Sequence, residues 1–313
     1  MSRAVFEALA KAARCGEPVA LGLISGVKGS SPQKVGAKAL FYSDGRICGT
    51  LGGGCLEAEI QQRAIQSLRT GQPAEFELLL DHDFGWDDGL ICGGLVHGLI
   101  LPGAGHAGEA FWSQLARRET SLAWGIADDF AIVMESPAPA QERPGWRYRE
   151  TVAPPCALWI AGAGHVAQAV APLALQLDFT VTVLDDRPAL ASPQFFPAET
   201  CLGAEVWDKL LALPLPDVPC FGLIVTRGHR HDALVLEHWI RQPFLFLGMI
   251  GSARKARTIF EHFTAEELAT PEQLQRVACP VGVPIRCRSV PEIAVSIMAQ
   301  FIDKRAELVP QGG

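Results

Sequence analysis

The pattern of apolar positions changes its period near the middle of the chain. In the first half it predicts an amphipathic helix over residues 1–17, followed by strands of alternating or continuous apolar character and a second helix after a run of glycines. The strands are predicted at 19–25, 39–42, 76–80 and 89–101, and the second helix at 56–68. Mixed elements without a regular crossover rhythm indicate a small α+β domain.

In the second half, short apolar runs alternate with segments long enough for helices. The runs lie at 158–161, 180–184, 221–226 and 244–247, and a C-terminal amphipathic helix is predicted at 291–308. This rhythm is typical of a parallel sheet with helical crossovers. The fold class predicted is therefore α/β, with a Rossmann-like domain at 157–313 and a smaller N-terminal α+β domain at 1–134. Five prolines between them predict a linker at 135–156.

Composition narrows the classes of protein. A chain of 313 residues with 49% hydrophobic and 19% charged residues has enough apolar content for packed cores. Its net charge of −7 argues against a nucleic-acid or anionic-membrane partner. The glycine-rich, uncharged window 89–108 is interpreted as a strand with turns, and no membrane span or signal peptide is expected. Nine cysteines without a C-x-x-C pair predict a reducing compartment, the cytoplasm.

The most specific local motif follows the first strand of the second domain. The segment GAGHVA, starting at Gly162, leads into a predicted helix and then a strand that ends at Asp185. In dinucleotide-binding folds such glycines let the backbone approach a pyrophosphate at a helix N-terminus, and the acid binds ribose hydroxyls. Gly162, Gly164, His165 and Asp185 are therefore candidate binding residues, with NAD or a similar dinucleotide as a possible ligand.

A second segment, GAGHAG, starts at Gly103 and matches the glycine consensus more closely. Pro102 precedes it, and the strands around it are not organised as repeated crossovers, although acids at 128–129 lie at a plausible distance. We interpret it as a structural turn. A structural turn is also the alternative interpretation of the Gly162 segment.

Two glycine-flanked cysteines mark the first domain. Gly52, Gly53 and Gly54 precede Cys55 at a predicted helix start, where amides bind oxyanions and lower the pKa of a thiol. Cys92 has similar neighbours, so both thiols are candidate ligands of a soft metal or handlers of sulfur. The alternative is a glycine-rich turn with a buried cysteine. The polar loop 29–36 either closes over a ligand or is only a surface loop.

Two further segments follow strands of the second domain. TRGHRHD carries Arg227 and His229, and GMIGSARK carries Gly248, Gly251 and Ser252. The carboxyl edge of a parallel sheet is where ligands of such folds bind, so these residues are candidates for holding a phosphate. For the first segment, a metal site and a solvated turn stay open as alternatives.

Several of these segments occur together in one family. In their order and joint presence, GSSPQKVGAKAL, GTLGGGCLEAEI, WDDGLICGG, LWIAGAGHVAQAVAPLA, VTVLDDRPA, IVTRGHRHDALVL and LGMIGSARKA resemble the xanthine dehydrogenase accessory proteins, the XdhC/CoxI family. The resemblance covers nearly the whole chain.

The resemblance implies a non-catalytic chaperone of the molybdenum cofactor. Such a protein binds molybdopterin, cooperates with a cysteine desulfurase that supplies the sulfido ligand, and delivers the cofactor to apo xanthine dehydrogenase, an enzyme of purine catabolism. Cys55 or Cys92 would then touch molybdenum through the cofactor. The sequence leaves the oligomeric state open, with a homodimer as one option. The rival hypothesis is an NAD(P)-dependent oxidoreductase, but no pair of residues is placed to handle a proton during hydride transfer.

Overall fold

The computed structural model describes residues 2–79, 94–135 and 145–309. The chain divides into two compact units, one within Met1–Pro154 and the other within Pro155–Gln311. Each unit has its own sheets and cores. In the described residues, no helix is both long enough and apolar enough to cross a membrane.

The N-terminal unit combines two antiparallel sheets with helices. Its helices are α1 (Ser2–Cys15), α2 (Gly54–Thr70) and α3 (Glu109–Arg117), and its strands are β1 (Val19–Lys28), β2 (Lys38–Tyr42), β3 (Ile47–Gly49), β4 (Ala74–Leu79), β5 (Leu95–Leu101), β6 (Leu122–Ala127), β7 (Ile132–Met134) and β8 (Trp146–Val152). In the described part of this unit, one sheet has the order β3-β2-β1-β5-β4 and the other β7-β6-β8. All the pairings are antiparallel.

Helices cover the larger sheet on both faces because its strands are apolar on both sides. One core joins α1, α3 and the smaller sheet, and at its centre the rings of Trp112 and Trp124 lie 5.5 Å apart, edge to face. The other core lies under α2, where Ile60 and Ala64 pack with Phe41. The strand KALFY, which is apolar after its first residue and buried throughout, follows from this double coverage.

Part of the predicted linker is a strand. Trp146–Val152 pairs with β6, so these residues of the predicted linker belong to a sheet of the N-terminal unit. The physical reason is alternation: Tyr148 and Val152 are buried while Arg149 between them is exposed. Flanking prolines and charges concealed this period-two pattern in the sequence. Residues 136–144 of the predicted linker lie outside the described part of the chain.

The C-terminal unit is built on a parallel sheet. Its strands are β9 (Cys156–Ala161), β10 (Phe179–Asp185), β11 (Cys201–Ala204), β12 (Cys220–Ile224), β13 (Phe246–Met249) and β14 (Val277–Ala278), and its helices are α4 (His165–Gln176), α5 (Trp207–Leu211), α6 (His229–Trp239), α7 (Ala253–Ala265), α8 (Pro271–Gln275) and α9 (Val290–Leu308). Among the described residues the sheet order is β11-β10-β9-β12-β13-β14. Counted within this unit, that order is 3-2-1-4-5-6, which confirms the predicted Rossmann-like fold.

Both faces of this sheet are buried. Helices α4 and α9 pack on one face over Leu158 and Phe221, while α5, α6, α7 and α8 cover the other over Trp159. All these strands are parallel, but the order in which they are added changes sides at β9: β10 and β11 lie on one side of it, and β12, β13 and β14 lie on the other. The loops that follow these three strands therefore meet at one edge, the switch point where open α/β sheets bind ligands.

Candidate functional site

The glycine turn after β9 is wedged between the ends of its two neighbouring strands. Gly162 has φ +110°, and a Cβ there would lie 2.4 Å from the carbonyl oxygen of Val225. On the other side its amide donates to the carbonyl oxygen of Leu184 at 2.7 Å. A Cβ at Gly164 would meet nothing within 4 Å. Only glycine fits the first position, while the second leaves open space in front of the N-terminus of α4.

Asp185 holds this turn from the end of β10. Its carboxylate is 1% exposed and accepts from the Ala163 amide at 2.7 Å. It also accepts from three Arg187 donors, the amide at 2.9 Å and Nε and Nη2 at 2.8 Å each. Burial opposes ionisation of Asp185, but the Arg187 and Ala163 hydrogen bonds outweigh it and lower the pKa of the carboxyl.

Four hydrogen bonds use the four acceptor positions of a carboxylate. The sequence-based expectation that Asp185 binds ribose hydroxyls therefore differs from the arrangement observed, in which the acid positions the backbone. Arg187, two residues further along the chain, satisfies it locally. The signal was present in the run Asp-Asp-Arg, which places a guanidinium beside the strand-end acids.

An ion pair links the two loops that flank the glycine turn. Arg227 Nη2 donates to Asp186 Oδ2 at 2.7 Å and lies 3.0 Å from His231 Nε2. Asp186 follows β10 and Arg227 follows β12, so the pair spans the end of β9 between them. The two side chains are 19% and 42% exposed, respectively. Arg227 thus lies at the switch point as expected, but with a carboxylate already bound to it.

A second ion pair fixes the neighbouring loops. Asp232 is 1% exposed and accepts from Thr226 Oγ1 at 2.7 Å and from Lys255 Nζ, which reaches it from α7. His229 is exposed at the start of α6. The structure therefore does not bring His229, His231 and Asp232 together as metal ligands. In the described residues, no group of three or more His, Cys, Asp or Glu side chains could hold a metal ion.

The three predicted residues at the end of β13 and in the segment after it have different roles. Gly248 lies inside the buried strand, where a Cβ would be 2.4 Å from Val281 Cγ2, so it serves packing rather than a turn. Gly251 forms the turn, and Ser252 caps α7 by accepting from the Lys255 amide at 3.2 Å. Arg254 is exposed in the first turn of this helix.

The glycine run of the N-terminal unit forms a turn that is fixed from within. Gly52, Gly53 and Gly54 have φ values of +127°, +73° and +60°. The carboxylate of Glu57 accepts from Thr50 Oγ1 at 2.9 Å and from the Gly53 amide at 3.0 Å. Added Cβ atoms at Gly53 and Gly54 would meet nothing within 4 Å. The turn therefore presents bare backbone to open space at the start of α2.

The polar loop 29–36 lies against this turn. A Cβ on Gly52 would be 2.8 Å from Pro32 Cγ, and one on Gly94 would be 1.9 Å from the carbonyl oxygen of Ser30. Three motif segments of the sequence therefore converge here: the loop, the glycine run and the end of the segment that contains Cys92. Cys55 is the second residue of α2 in this region, although its side chain lies outside the described part. Cys92 and the rest of 80–93 also lie outside it.

A buried lysine anchors the base of the same loop. The side chain of Lys38 is 1% exposed, and its Nζ donates to the carbonyl oxygen of Gly36 at 2.7 Å and to Glu150 at 2.8 Å. Glu150 also accepts from the Trp124 indole at 2.7 Å and from the Tyr148 hydroxyl at 2.6 Å. Desolvation lowers the pKa of Lys38, against the opposing charge and hydrogen bond of Glu150. Sequence reasoning missed this pair, because one lysine in an apolar strand gave no indication of its partner.

The GAGHAG segment folds as a tight turn, in keeping with its interpretation as a structural turn. Ala104–Ala107 is a 3-10 turn, in which the His106 amide donates to Gly103 at 2.8 Å and the Gly108 amide to Gly105 at 3.1 Å. Cavities of about 400 and 360 Å³ adjoin it. Because these amides are used within the turn, they are not presented to a ligand.

Comparisons with known proteins agree with the two-part architecture. A family model described as the XdhC Rossmann domain matches residues 158–301. A second, described as the XdhC and CoxI family, matches residues 12–81. The first includes the switch-point residues, and the second includes the loop 29–36 and the glycine run.

Two relatives match this chain over most of its length and over most of their own. A Bacillus subtilis protein, described as a probable subunit of xanthine dehydrogenase, is 24% identical over 92% of this chain and 94% of its own. The molybdenum cofactor insertion chaperone PaoD of Escherichia coli is 24% identical over 97% of this chain and 88% of its own length. The uncharacterized Escherichia coli protein YqeB is 27% identical over 95% of this chain, but the match spans only 46% of YqeB.

A solved structure shares the fold. A Bacillus halodurans protein, described as a xanthine dehydrogenase, superposes with a TM-score of 0.78 over 96% of each chain at 24% identity. At that identity the likeness concerns the fold alone. The two family models, which match both parts of the chain, carry the family assignment. This chain belongs to the XdhC/CoxI family.

Proposed function

We propose that this protein is a molybdenum cofactor chaperone for an enzyme of the xanthine dehydrogenase type. It would bind molybdopterin, hold it while the terminal sulfido ligand is supplied, and support its insertion into the apo-enzyme. The observation that carries the proposal is the match of both family models, together with a full-length relative that is named as an insertion chaperone.

The residues of the N-terminal unit fit one end of such a ligand. Gly53 and Gly54 expose backbone at a helix start, which suits an anionic group, and Cys55 follows in the first turn. When bound, the cofactor supplies a soft molybdenum centre that accepts thiolate and sulfide ligands. Cys55 and Cys92 are therefore our candidates for contact with the metal.

The switch point of the C-terminal unit fits a phosphate. Gly164 leaves space before α4, and Arg227, Ser252 and Arg254 lie at the same sheet edge. A dinucleotide-type ligand is a further candidate for this crevice. The saturation of Asp185 argues against the rival NAD-dependent oxidoreductase, which needs an acceptor for the ribose. We accordingly assign the chain a binding and delivery role rather than catalysis.

The proposal names two protein partners, the apo xanthine dehydrogenase that receives the cofactor and a cysteine desulfurase that provides sulfur. It also assigns the protein to the cytoplasm. All the cysteines whose side chains are described are free thiols, which suits a reducing compartment. No nucleic-acid or membrane partner is proposed, in keeping with the net charge of −7.

The test is purification from cells that make the cofactor, followed by oxidised-pterin fluorescence and molybdenum analysis. We expect both to co-purify with the chain, and the loaded protein to activate apo xanthine dehydrogenase on mixing. A preparation with neither pterin nor molybdenum, and without effect on the apo-enzyme, would contradict the proposal. Steady NADH turnover with a small substrate would support the rival oxidoreductase.

A cysteine substitution tests the assignment of the metal contact. Cys55→Ser is expected to lower cofactor retention about tenfold while the thermal unfolding curve stays unchanged, because a hydroxyl is a poor ligand for a soft metal. Cys15→Ser is the matched control, since Cys15 is an exposed thiol at the end of α1. Equal cofactor retention in the Cys55→Ser and Cys15→Ser variants would mean that Cys55 contributes to packing and does not contact the metal.

A further inference from the structure

We infer that Asp186 is an internal competitor for an anionic ligand: it binds Arg227 in the ligand-free crevice and is displaced when the diphosphate group of a nucleotide-type ligand binds there. The inference rests on the proposed function in that it takes the switch point to be a ligand site. It adds the chemistry of the ligand group and a device that tunes its affinity.

The first support is the position of the ion pair. Gly162 contacts Leu184 on one side and Val225 on the other, so the turn is enclosed by the last residues of β10 and β12. Two residues beyond each of these contacts, Asp186 and Arg227 join at 2.7 Å. The pair therefore extends across the glycine turn, where a diphosphate lies in folds of this type.

The second support is the difference between the two adjacent acids. Asp185 is buried and accepts four hydrogen bonds from groups of its own unit. Asp186, by contrast, accepts from one arginine nitrogen among the described residues, with His231 Nε2 further away at 3.9 Å, and is 19% exposed. Displacing Asp185 would leave a backbone amide and a guanidinium unsatisfied, whereas displacing Asp186 returns a carboxylate to water. Asp186 is therefore the acid that exchanges with a ligand.

The third support is the unused donor capacity of Arg227. Its Nη2 contacts Asp186 and His231, while its Nε and Nη1 have no hydrogen-bond partner among the described residues. A guanidinium offers its donors as a planar fork that suits two oxygens of a phosphate. Gly164 and Gly228 both leave open space at this edge, since an added Cβ would meet nothing within 4 Å. The crevice thus has a cation and bare backbone placed for an anion.

Isothermal titration of the full chain with inorganic pyrophosphate tests this. We expect Asp186→Asn to bind about fivefold more tightly than the parent, because an exposed ion pair no longer competes. Arg227→Gln should bind about tenfold more weakly. Asp186→Ser serves as a second variant, with the same increase expected, in case the asparagine variant fails to fold.

The matched controls lie in the N-terminal unit, where Asp44 and Arg46 form an exposed ion pair at 2.6 Å. Asp44→Asn and Arg46→Gln change the net charge equally and should leave pyrophosphate binding unchanged. Unchanged or weaker binding by both Asp186 variants would overturn the inference. An equal increase in pyrophosphate affinity in Asp44→Asn would also overturn the inference, because the change in net charge alone would then explain the tighter binding.

NAD is the second titrant and separates the diphosphate from the ribose. We expect NAD to bind no more tightly than pyrophosphate, because the acid that would accept ribose hydroxyls is saturated. Binding more than tenfold tighter would overturn the assignment to the diphosphate group. The titrations contain no pterin or metal. If the chain retains molybdopterin but the Asp186 variants do not bind pyrophosphate more tightly, this inference alone is contradicted. If the Asp186 variants bind pyrophosphate more tightly but the chain retains no molybdopterin, the proposed function alone is contradicted.

Discussion

Two six-residue segments of this chain, GAGHAG at Gly103 and GAGHVA at Gly162, differ only in their last two residues and have different structures. The first follows an antiparallel strand and folds into a 3-10 turn whose amides bond within the turn. The second follows the central strand of a parallel sheet and leads directly into a helix of 12 residues.

The neighbours of each segment account for the difference. At Gly162, parallel strands on both sides end at the same level, so Leu184 and Val225 hold the turn between them. At Gly103, Pro102 precedes the turn, and the nearest atom to an added Cβ belongs to the ring of His106, at 3.1 Å. The glycines permit either structure, and the strands that flank them select one.

The largest expected effect is that of Gly162→Ala. Its φ of +110° and the Cβ position 2.4 Å from the Val225 carbonyl oxygen combine backbone strain with a clash against backbone. We expect the C-terminal unit to lose about 3 kcal/mol of unfolding free energy, measured by urea denaturation.

Two alanine variants are the controls for this prediction. Gly103→Ala meets only a movable side chain, and Gly164→Ala meets nothing within 4 Å. Each should cost less than about 1 kcal/mol. Comparable losses in all three variants would mean that the close approach at Gly162 has no special role.

An intermediate effect is expected from the acid that holds the second turn. Asp185→Asn leaves the Arg187 guanidinium without its charged partner and should cost about 2 kcal/mol at pH 7. Because the folded-state pKa of Asp185 is lowered, its contribution is present above the unfolded value of about 3.9 and is lost as the pH falls further through the folded value. The difference between parent and variant should therefore shrink below about pH 4.

Asp129→Asn is the counterpart at the first segment. Within the described part of the chain, Asp129 accepts from the amide of Ala131 alone, at 3.0 Å, in an exposed turn. Urea unfolding at several pH values should show a change below about 0.5 kcal/mol for this variant. A pH-independent difference for Asp185→Asn would instead assign its effect to shape rather than charge.

The smallest effect concerns the histidine that both segments share. His165 is the exposed first residue of α4, the helix whose N-terminus adjoins the proposed diphosphate site, whereas His106 lies in the 3-10 turn. We expect His165→Ala to weaken pyrophosphate binding about threefold, through loss of one hydrogen bond, and His106→Ala to have no effect. The comparison would fail if His106→Ala weakened binding as much.

Much of the C-terminal unit was predictable because its signals are local. Apolar runs bounded by glycine turns gave β9, β10, β12 and β13 to within a few residues, and the fingerprint located the switch point. The strand β8 was missed, since its alternation is short and lies among prolines and charges. The position of Gly248 inside β13 was also missed, because a glycine in a strand looks like a turn until its neighbour Val281 is known.

The sequence by itself determined the two-part organisation, the parallel sheet and the glycine turns, because periodicity and backbone freedom belong to residues close together in the chain. Only the tertiary structure decided which charges meet. Lys38 and Glu150 are 112 residues apart, and Arg227 and Asp186 are 41 apart, yet each pair lies within 2.8 Å. Side chains so distant in sequence leave no periodic trace, and the fold alone determines that Asp186 meets Arg227 across the glycine turn.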